Sequence, residues 1–202
     1  LTIHLQHISK QFGEEILFEN LSMQIDKGQS IALLGRNGSG KSTLLQIIAT
    51  YMLPAKGEVI YTENNQTLDA EEIFRSVSYC APYLELIEEL TLKEFLEYHF
   101  TFKKSLLPIP DMIDYLGLQA ATNKPIEKFS SGMKQRVKLA QAVFADTPVL
   151  LLDEPCTNLD EMGITQYHDM ISTFGKNRIL VVASNDEKEF KVCETKIDIS
   201  KA

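Results

Sequence analysis

Apolar positions along this chain change their period several times, and each change marks an element. Ile3, Leu5 and Ile8 read as one strand, and the stretch from Ile16 to Ile25 as a second. Ser30-Ile-Ala-Leu-Leu34 is a third, entered through a turn at Gly28. Leu44, Leu45, Ile47 and Ile48 then share one side of a helix predicted over 41–51. Lys56-Gly57 reads as a turn before a short strand at 58–62. The polar stretch from Glu63 to Asp69 reads as a loop, and Val77 to Cys80 as a short buried strand.

From residue 84 to 145 the pattern is helical. Thr91-Leu-Lys-Glu94 forms a capping box, and Leu92, Phe95, Leu96, His99 and Phe100 follow on one face. Pro108 and Pro110 interrupt the chain before a second helix at about 111–117, and a third runs from about 131 to 145. Val149-Leu-Leu-Leu152 is a continuous apolar run, as in a parallel strand covered on both faces. A helix at about 161–174 and a strand from Ile179 to Ala183 complete the order. Strands alternating with helices predict an α/β protein with a parallel sheet. The helices at about 84–145 read as a subdomain inserted into a single domain spanning 1–202.

Composition narrows the class of protein. The chain has 202 residues, of which 44% are hydrophobic and 24% charged, enough for a sizeable core without disulfides. Its net charge of −8 argues against a protein that coats nucleic acid. Cys80, Cys156 and Cys193 are odd in number and widely spaced, which fits neither a disulfide scaffold nor a zinc site and points to a reducing compartment. No apolar run approaches the ~18 residues of a membrane span, and the first 30 residues contain no signal-peptide core. The expectation is a cytoplasmic protein that reaches a membrane only by docking onto a partner.

The most specific chemistry lies at Gly35, Arg36, Asn37, Gly38, Ser39, Gly40, Lys41, Ser42 and Thr43, which match G-x-x-x-x-G-K-[ST] between a strand and a helix. Glycines at these places let successive backbone N–H groups point at phosphate. Lys41 is expected to reach the β- and γ-phosphates, and Ser42 to ligate Mg²⁺. Val149-Leu-Leu-Leu-Asp153-Glu154-Pro155 is a buried strand ending in two carboxylates. Alone, that pair reads equally well as the solvated start of a loop. Joined to the phosphate loop, Asp153 is expected to order Mg²⁺ and Glu154 to act as general base on water.

With those segments in place, the chain resembles the ATP-binding cassette (ABC) ATPases, the nucleotide-binding subunits of ABC transporters. Phe129-Ser130-Ser131-Gly132-Met133-Lys134-Gln135-Arg136 is similar to the family signature Leu-Ser-Gly-Gly-Gln and its basic helix. Asn158-Leu159-Asp160 is similar to the family's D-loop, and Phe12 stands where the family places an aromatic that stacks on adenine. By itself Ser130–Gly132 reads as a helix cap and anion site, and Phe12 as an ordinary aromatic. The resemblance implies a P-loop NTPase core with a parallel sheet, an N-terminal antiparallel β subdomain and an inserted α-helical subdomain. It also implies that two subunits pack head to tail, so that Ser130, Ser131, Gly132 and Asp160 of each complete the other's ATP site. The Met-Lys-Gln-Arg run further resembles small exporter-type subunits.

The sequence also departs from the family. Where the family's Q-loop has Gln, Tyr79-Cys80-Ala81-Pro82-Tyr83-Leu84-Glu85 offers Pro82 or Tyr83. Where its H-loop has His on the γ-phosphate, Ser184-Asn185-Asp186 offers Asn185, which can donate a hydrogen bond but cannot hold a proton. Ser131 and Met133 replace the usual Gly and Gln of the signature. The leading expectation is an ATP- and Mg²⁺-binding, slowly hydrolysing subunit on the inner face of the cell membrane. It would drive a separate membrane-spanning permease, with a second ATP-binding subunit that is a copy or a paralogue. The alternatives are a non-transport ABC ATPase acting on ribosomes or DNA, a P-loop kinase, and a subunit that binds ATP with little hydrolysis.

Overall fold

A computed structural model describes residues 1–201. Its strands are β1 (Thr2–Phe12), β2 (Glu15–Asp26), β3 (Ser30–Leu34), β4 (Lys56–Glu63), β5 (Gln66–Thr67), β6 (Val77–Cys80), β7 (Val149–Asp153), β8 (Ile179–Ala183) and β9 (Thr195–Asp198). Its helices are α1 (Lys41–Ile48), α2 (Ala70–Ser76), α3 (Leu92–His99), α4 (Ile109–Tyr115), α5 (Ser131–Val143), α6 (Glu161–Phe174) and α7 (Glu187–Phe190).

Two sheets form, as the α/β reading expects. An antiparallel sheet runs in the order β2-β1-β4-β5, and a parallel sheet in the order β6-β7-β8-β3-β9. The first is not purely N-terminal, because β4 and β5 return to it after the chain has passed through β3 and α1. Gly57 makes that return possible. Its φ is +82°, and a Cβ there would lie 2.3 Å from the carbonyl oxygen of Gln6 on β1. Lys56-Gly57, expected as a turn, therefore opens β4. The polar stretch 63–69, expected as a loop, is mostly a hairpin. Asn64 and Asn65 take φ values of 52° and 65°, which suit a two-residue turn between β4 and β5.

The interiors of the β7 and β8 runs explain their composition. Leu150, Leu152, Leu180 and Val182 face one buried cluster, shared with α3, α5 and α6. Val149, Leu151, Ile179, Val181 and Ala183 face a second, shared with α1 and the antiparallel sheet. A strand buried on both faces has no polar alternation to display. Each fully buried aliphatic side chain contributes about 1.5–3 kcal/mol relative to exposure.

Three elements escape the periodicity. Helix α2, capped by an Asp69–Glu72 box, is too short to show a pattern, as is α7. Strand β9 is half polar because it is an edge strand, with β3 as its neighbour. Helix α4 begins at Ile109 rather than 111, with Pro110 in its first turn, where a missing N–H costs nothing. Helix α1 ends at Ile48, not 51, where Thr50 takes a left-handed φ of 60°.

Candidate functional site

Three adjacent strands of the parallel sheet end in one row: Leu33 pairs with Ala183, and Ala183 with Asp153. The loops that leave β3, β8 and β7 therefore emerge side by side. They carry Gly35 to Gly40, Ser184 to Asp186, and Glu154 to Asp160. Carboxyl ends of parallel strands are where open α/β sheets bind ligands.

The loop after β3 wraps closely around its own lysine. Lys41, only 7% exposed, donates from Nζ to the carbonyl oxygens of Gly35 at 2.8 Å and Arg36 at 3.3 Å. Gly35 has φ +150°, and a Cβ there would sit 2.4 Å from Ser39 Oγ, so the loop can close only around glycine. Ser39 Oγ is buried without a hydrogen-bond partner. Ser42 follows on α1 and is hydrogen-bonded to Asp153, at the end of β7. Asp153 is 2% exposed, and its Oδ1 is buried with no partner. Burial raises its pKa from 3.8 to about 6, reinforced by the Glu154 charge and opposed by Ser42 and Lys41. A buried carboxylate oxygen left unpaired beside a hydroxyl is a donor set that fits Mg²⁺, which favours one or two protein oxygens completed by phosphate and water.

Glu154 steps out of the sheet with φ 41°, in the left-handed region that side chains rarely adopt. Its N–H is held by the carbonyl oxygen of Ala183 at 2.9 Å. Phe12, Asn37, Gly38, Gly40, Lys41, Ser42, Thr43 and Glu154 line one cleft of about 360 Å³. Gly35, Arg36 and Ser39 belong to the same loop but do not line that cleft. Phe12 is half exposed there, with the Lys10 ammonium 5.1 Å from its ring centre. Asn185 reaches the same loop, its Nδ2 donating to Asn37 Oδ1 at 3.0 Å.

The other expected residues lie elsewhere. Ser130, Ser131, Gly132 and Asp160 line a second cleft of about 310 Å³, which shares no residue with the first. Ser130 caps α5, its Oγ accepting from Met133 N at 3.2 Å. Asp160 caps α6, its Oδ1 accepting from Gly163 N at 2.8 Å and pairing with Arg136 at 3.4 Å.

Three polar residues to which sequence reasoning gave no role tie neighbouring segments together. Gln135, 3% exposed on α5, donates to the carbonyl oxygen of Pro155 at 2.7 Å. Glu189, 5% exposed on α7, accepts from Cys156 N at 2.7 Å and from the Ser184 hydroxyl. Burial pushes its carboxyl up, while those two hydrogen bonds pull it down. Gln46, one turn after Ser42 on α1, donates to Tyr83 Oη at 2.7 Å, and Tyr83 meets the Tyr79 hydroxyl. The segment 79–85, expected to stand at the Q-loop without a glutamine of its own, thus receives a glutamine side chain from α1. A buried glutamine on the signature helix was the one sequence-level signal available, since Gln rarely faces a core unpaired.

Residues 18–157 match the family model described as ABC transporter. This chain belongs to the ABC transporter family, among its ATP-binding subunits. It is 32% identical over 169 residues to the uncharacterized ABC transporter ATP-binding protein YcbN of Bacillus subtilis, covering 81% of this chain but 54% of that one. It is 28% identical to YybJ of the same species, over 98% of this chain and 92% of the relative. It is 30% identical to the cytochrome c biogenesis ATP-binding export protein CcmA of Rhizobium johnstonii, over 87% and 83%. The chain therefore spans about half of YcbN and nearly all of YybJ. Among solved structures, a dimeric ATP-binding cassette in a post-hydrolysis state with ADP and Pi superposes with a TM-score of 0.82 at 24% identity, over 98% of this chain and 95% of that one. An ATP-binding subunit of an ABC transporter gives 0.82 at 23% identity, over 99% and 87%. These superpositions show the fold. Among the described residues, no helix is long and apolar enough to cross a membrane.

Proposed function

We propose that this chain binds and hydrolyses Mg²⁺-ATP and so powers transport through a separate membrane-spanning permease, from the cytoplasmic face of the membrane. One observation carries the reading: a buried lysine wrapped by a glycine loop stands beside a Ser42–Asp153 pair with an unpartnered carboxylate oxygen. Phosphates of ATP would replace the carbonyl oxygens now facing Lys41, with the loop N–H groups and the start of α1 as further donors. Ser42 and Asp153 would hold Mg²⁺, which when bound neutralises charge between the phosphates. Glu154 would take a proton from water, Phe12 would stack on the base, and Asn185 would donate toward the γ-phosphate.

Two clefts with no shared lining support a head-to-tail pair, in which Ser130–Gly132 and Asp160 of one subunit close the phosphate cleft of the other. The exposed Tyr83 and Ile87 support a permease contact along 83–90. That segment is braced on α5 by Lys134–Glu88 at 2.5 Å and by Lys138 donating to the Pro82 carbonyl oxygen at 2.5 Å. Slow turnover is favoured by Asn185, which engages Asn37 in place of a protonatable ring. The test is calorimetric titration with Mg²⁺-ATP. Lys41→Ala should weaken binding by ~10–100-fold, the worth of one or two lost charge-assisted hydrogen bonds. Equal affinity in the two proteins would refute the assignment. Co-purification with a membrane permease separates transport from action on ribosomes or DNA.

A further inference from the structure

The loop from Glu154 to Asp160 runs from one cleft to the other, yet it contains no regular element. Its first residue sits at an unfavourable backbone angle and must be held there from outside. The Ala183 carbonyl holds the Glu154 N–H, Gln135 holds the Pro155 carbonyl, and Glu189 holds Cys156 and alone ties this loop to the one that carries Asn185. Glu189 is buried, and it belongs to none of the ion pairs among the described residues. A buried carboxylate without a cation is costly unless its oxygens are used, and both are. Oε1 takes the N–H of Cys156, two residues after Glu154. Oε2 takes the hydroxyl of Ser184, one residue before Asn185. Ser184 in turn accepts from Asp186 N at 2.9 Å, closing the turn around Asn185. Glu189 is itself fixed, because Tyr167 on α6 donates to its carbonyl oxygen at 2.8 Å.

We propose that Glu189 is a positioning residue for hydrolysis: one side chain locks the loop that aims Glu154 to the loop that aims Asn185. Glu189 lines a cleft with Asn37, Glu154 and Asn185, but both its carboxylate oxygens are taken by the two loops, and it acts through them. The proposal rests on the ATPase reading for its consequence, and on this chain's own bonds for its mechanism. A shift of about 1 Å in a reacting group costs on the order of 10²-fold in rate. Loss of the clamp is therefore expected mainly in kcat, with ATP affinity nearly unchanged, since among the described residues Glu189 is linked by hydrogen bonds to the phosphate loop only indirectly, through the single Asn185–Asn37 bond.

The experiment combines amide hydrogen exchange on the nucleotide-free protein with ATPase kinetics, for wild type, Glu189→Ala, Glu189→Gln and Ser184→Ala. In Glu189→Ala, protection at Cys156 and in 184–186 should fall together. Its kcat should drop ~10–100-fold with KM and ATP affinity within about twofold. Glu189→Gln keeps an acceptor for Cys156 N and should recover much of both. Ser184→Ala should loosen 184–186 while Cys156 stays protected. Unchanged protection at Cys156 in Glu189→Ala would overturn the clamp. So would wild-type kcat in a variant whose loops have come free, or an equal loss of kcat and ATP affinity tracking a lowered Tm. Wild type that binds no ATP would instead overturn the functional reading, while the exchange data still judge the clamp.

Discussion

The two clefts differ in which polar groups they leave unmet. In the phosphate-loop cleft, Lys41 and Asp153 are buried, and Asp153 Oδ1 and Ser39 Oγ have no partner. The fold leaves electrostatic cost there that no group among the described residues relieves. In the signature cleft, the Ser130 hydroxyl and the Asp160 carboxylate are already bonded to the helices they cap, and the unpartnered buried atom is a donor, Arg136 Nε. Both capping residues are exposed, and capping of that kind is ordinary surface chemistry.

Variants can break this contrast, and the largest effect is expected from Glu154→Gln. Loss of a general base costs ~10²–10⁴-fold in turnover. ATP binding should persist, so ATP-dependent dimers should accumulate in light scattering. Retained turnover would remove Glu154 from the chemistry. Next comes Ser130→Arg placed on the Glu154→Gln background. It should abolish the ATP-dependent dimer while calorimetric ATP affinity of the single subunit changes less than about twofold, because the cleft it fills shares no lining residue with the phosphate-loop cleft. A parallel loss of ATP affinity would show that the two clefts are not separate.

Asp153→Asn sharpens the idea of stored cost. The folded pKa of Asp153, about 6, lies above its ordinary value of 3.8. The folded state therefore binds the proton more tightly than the unfolded chain, and metal-free stability falls as pH rises between about 4 and 6. Removing the charge should raise the metal-free Tm at pH 7 by roughly 5 °C, with no gain at pH 4, and should erase stabilisation by Mg²⁺-ATP. A lowered Tm at pH 7 would mean the carboxylate is compensated within the chain. The smallest effect is expected from Asn185→His. It should raise kcat by a few-fold, on the order of 1 kcal/mol, without altering ATP affinity, since the ring acts on the transition state. An unchanged rate would mean that the Asn37–Asn185 contact serves as well as a histidine.

Much of this molecule is legible in its sequence wherever one physical demand dominates. Burial on both faces wrote the runs Val149–Leu152 and Ile179–Ala183, and a loop that must close around a cation wrote Gly35 to Thr43. Thr91 and Glu94 announced α3, and the capping box forms as expected. Elements too short for periodicity went unread: α2, α7 and β9 are stabilised by where they land rather than by a pattern of their own. The hairpin at Asn64-Asn65 looked like a loop because its two strands are almost entirely polar at that end.

The sequence by itself determined the elements, the phosphate loop and the carboxylates that end β7, because these depend on local spacing and on residue chemistry. Only the tertiary structure decided which residues meet across long separations. It set β7, β8 and β3 side by side, so that residues near 35, 154 and 185 share one row. It sent Ser130 and Asp160 to a different cleft, and it turned Gln46, Gln135 and Glu189 into the links between loops. Such pairings carry no sequence period, since a hydrogen bond between positions 33 residues apart, as from Cys156 to Glu189, is chosen by the packing of the strands that bring its partners together.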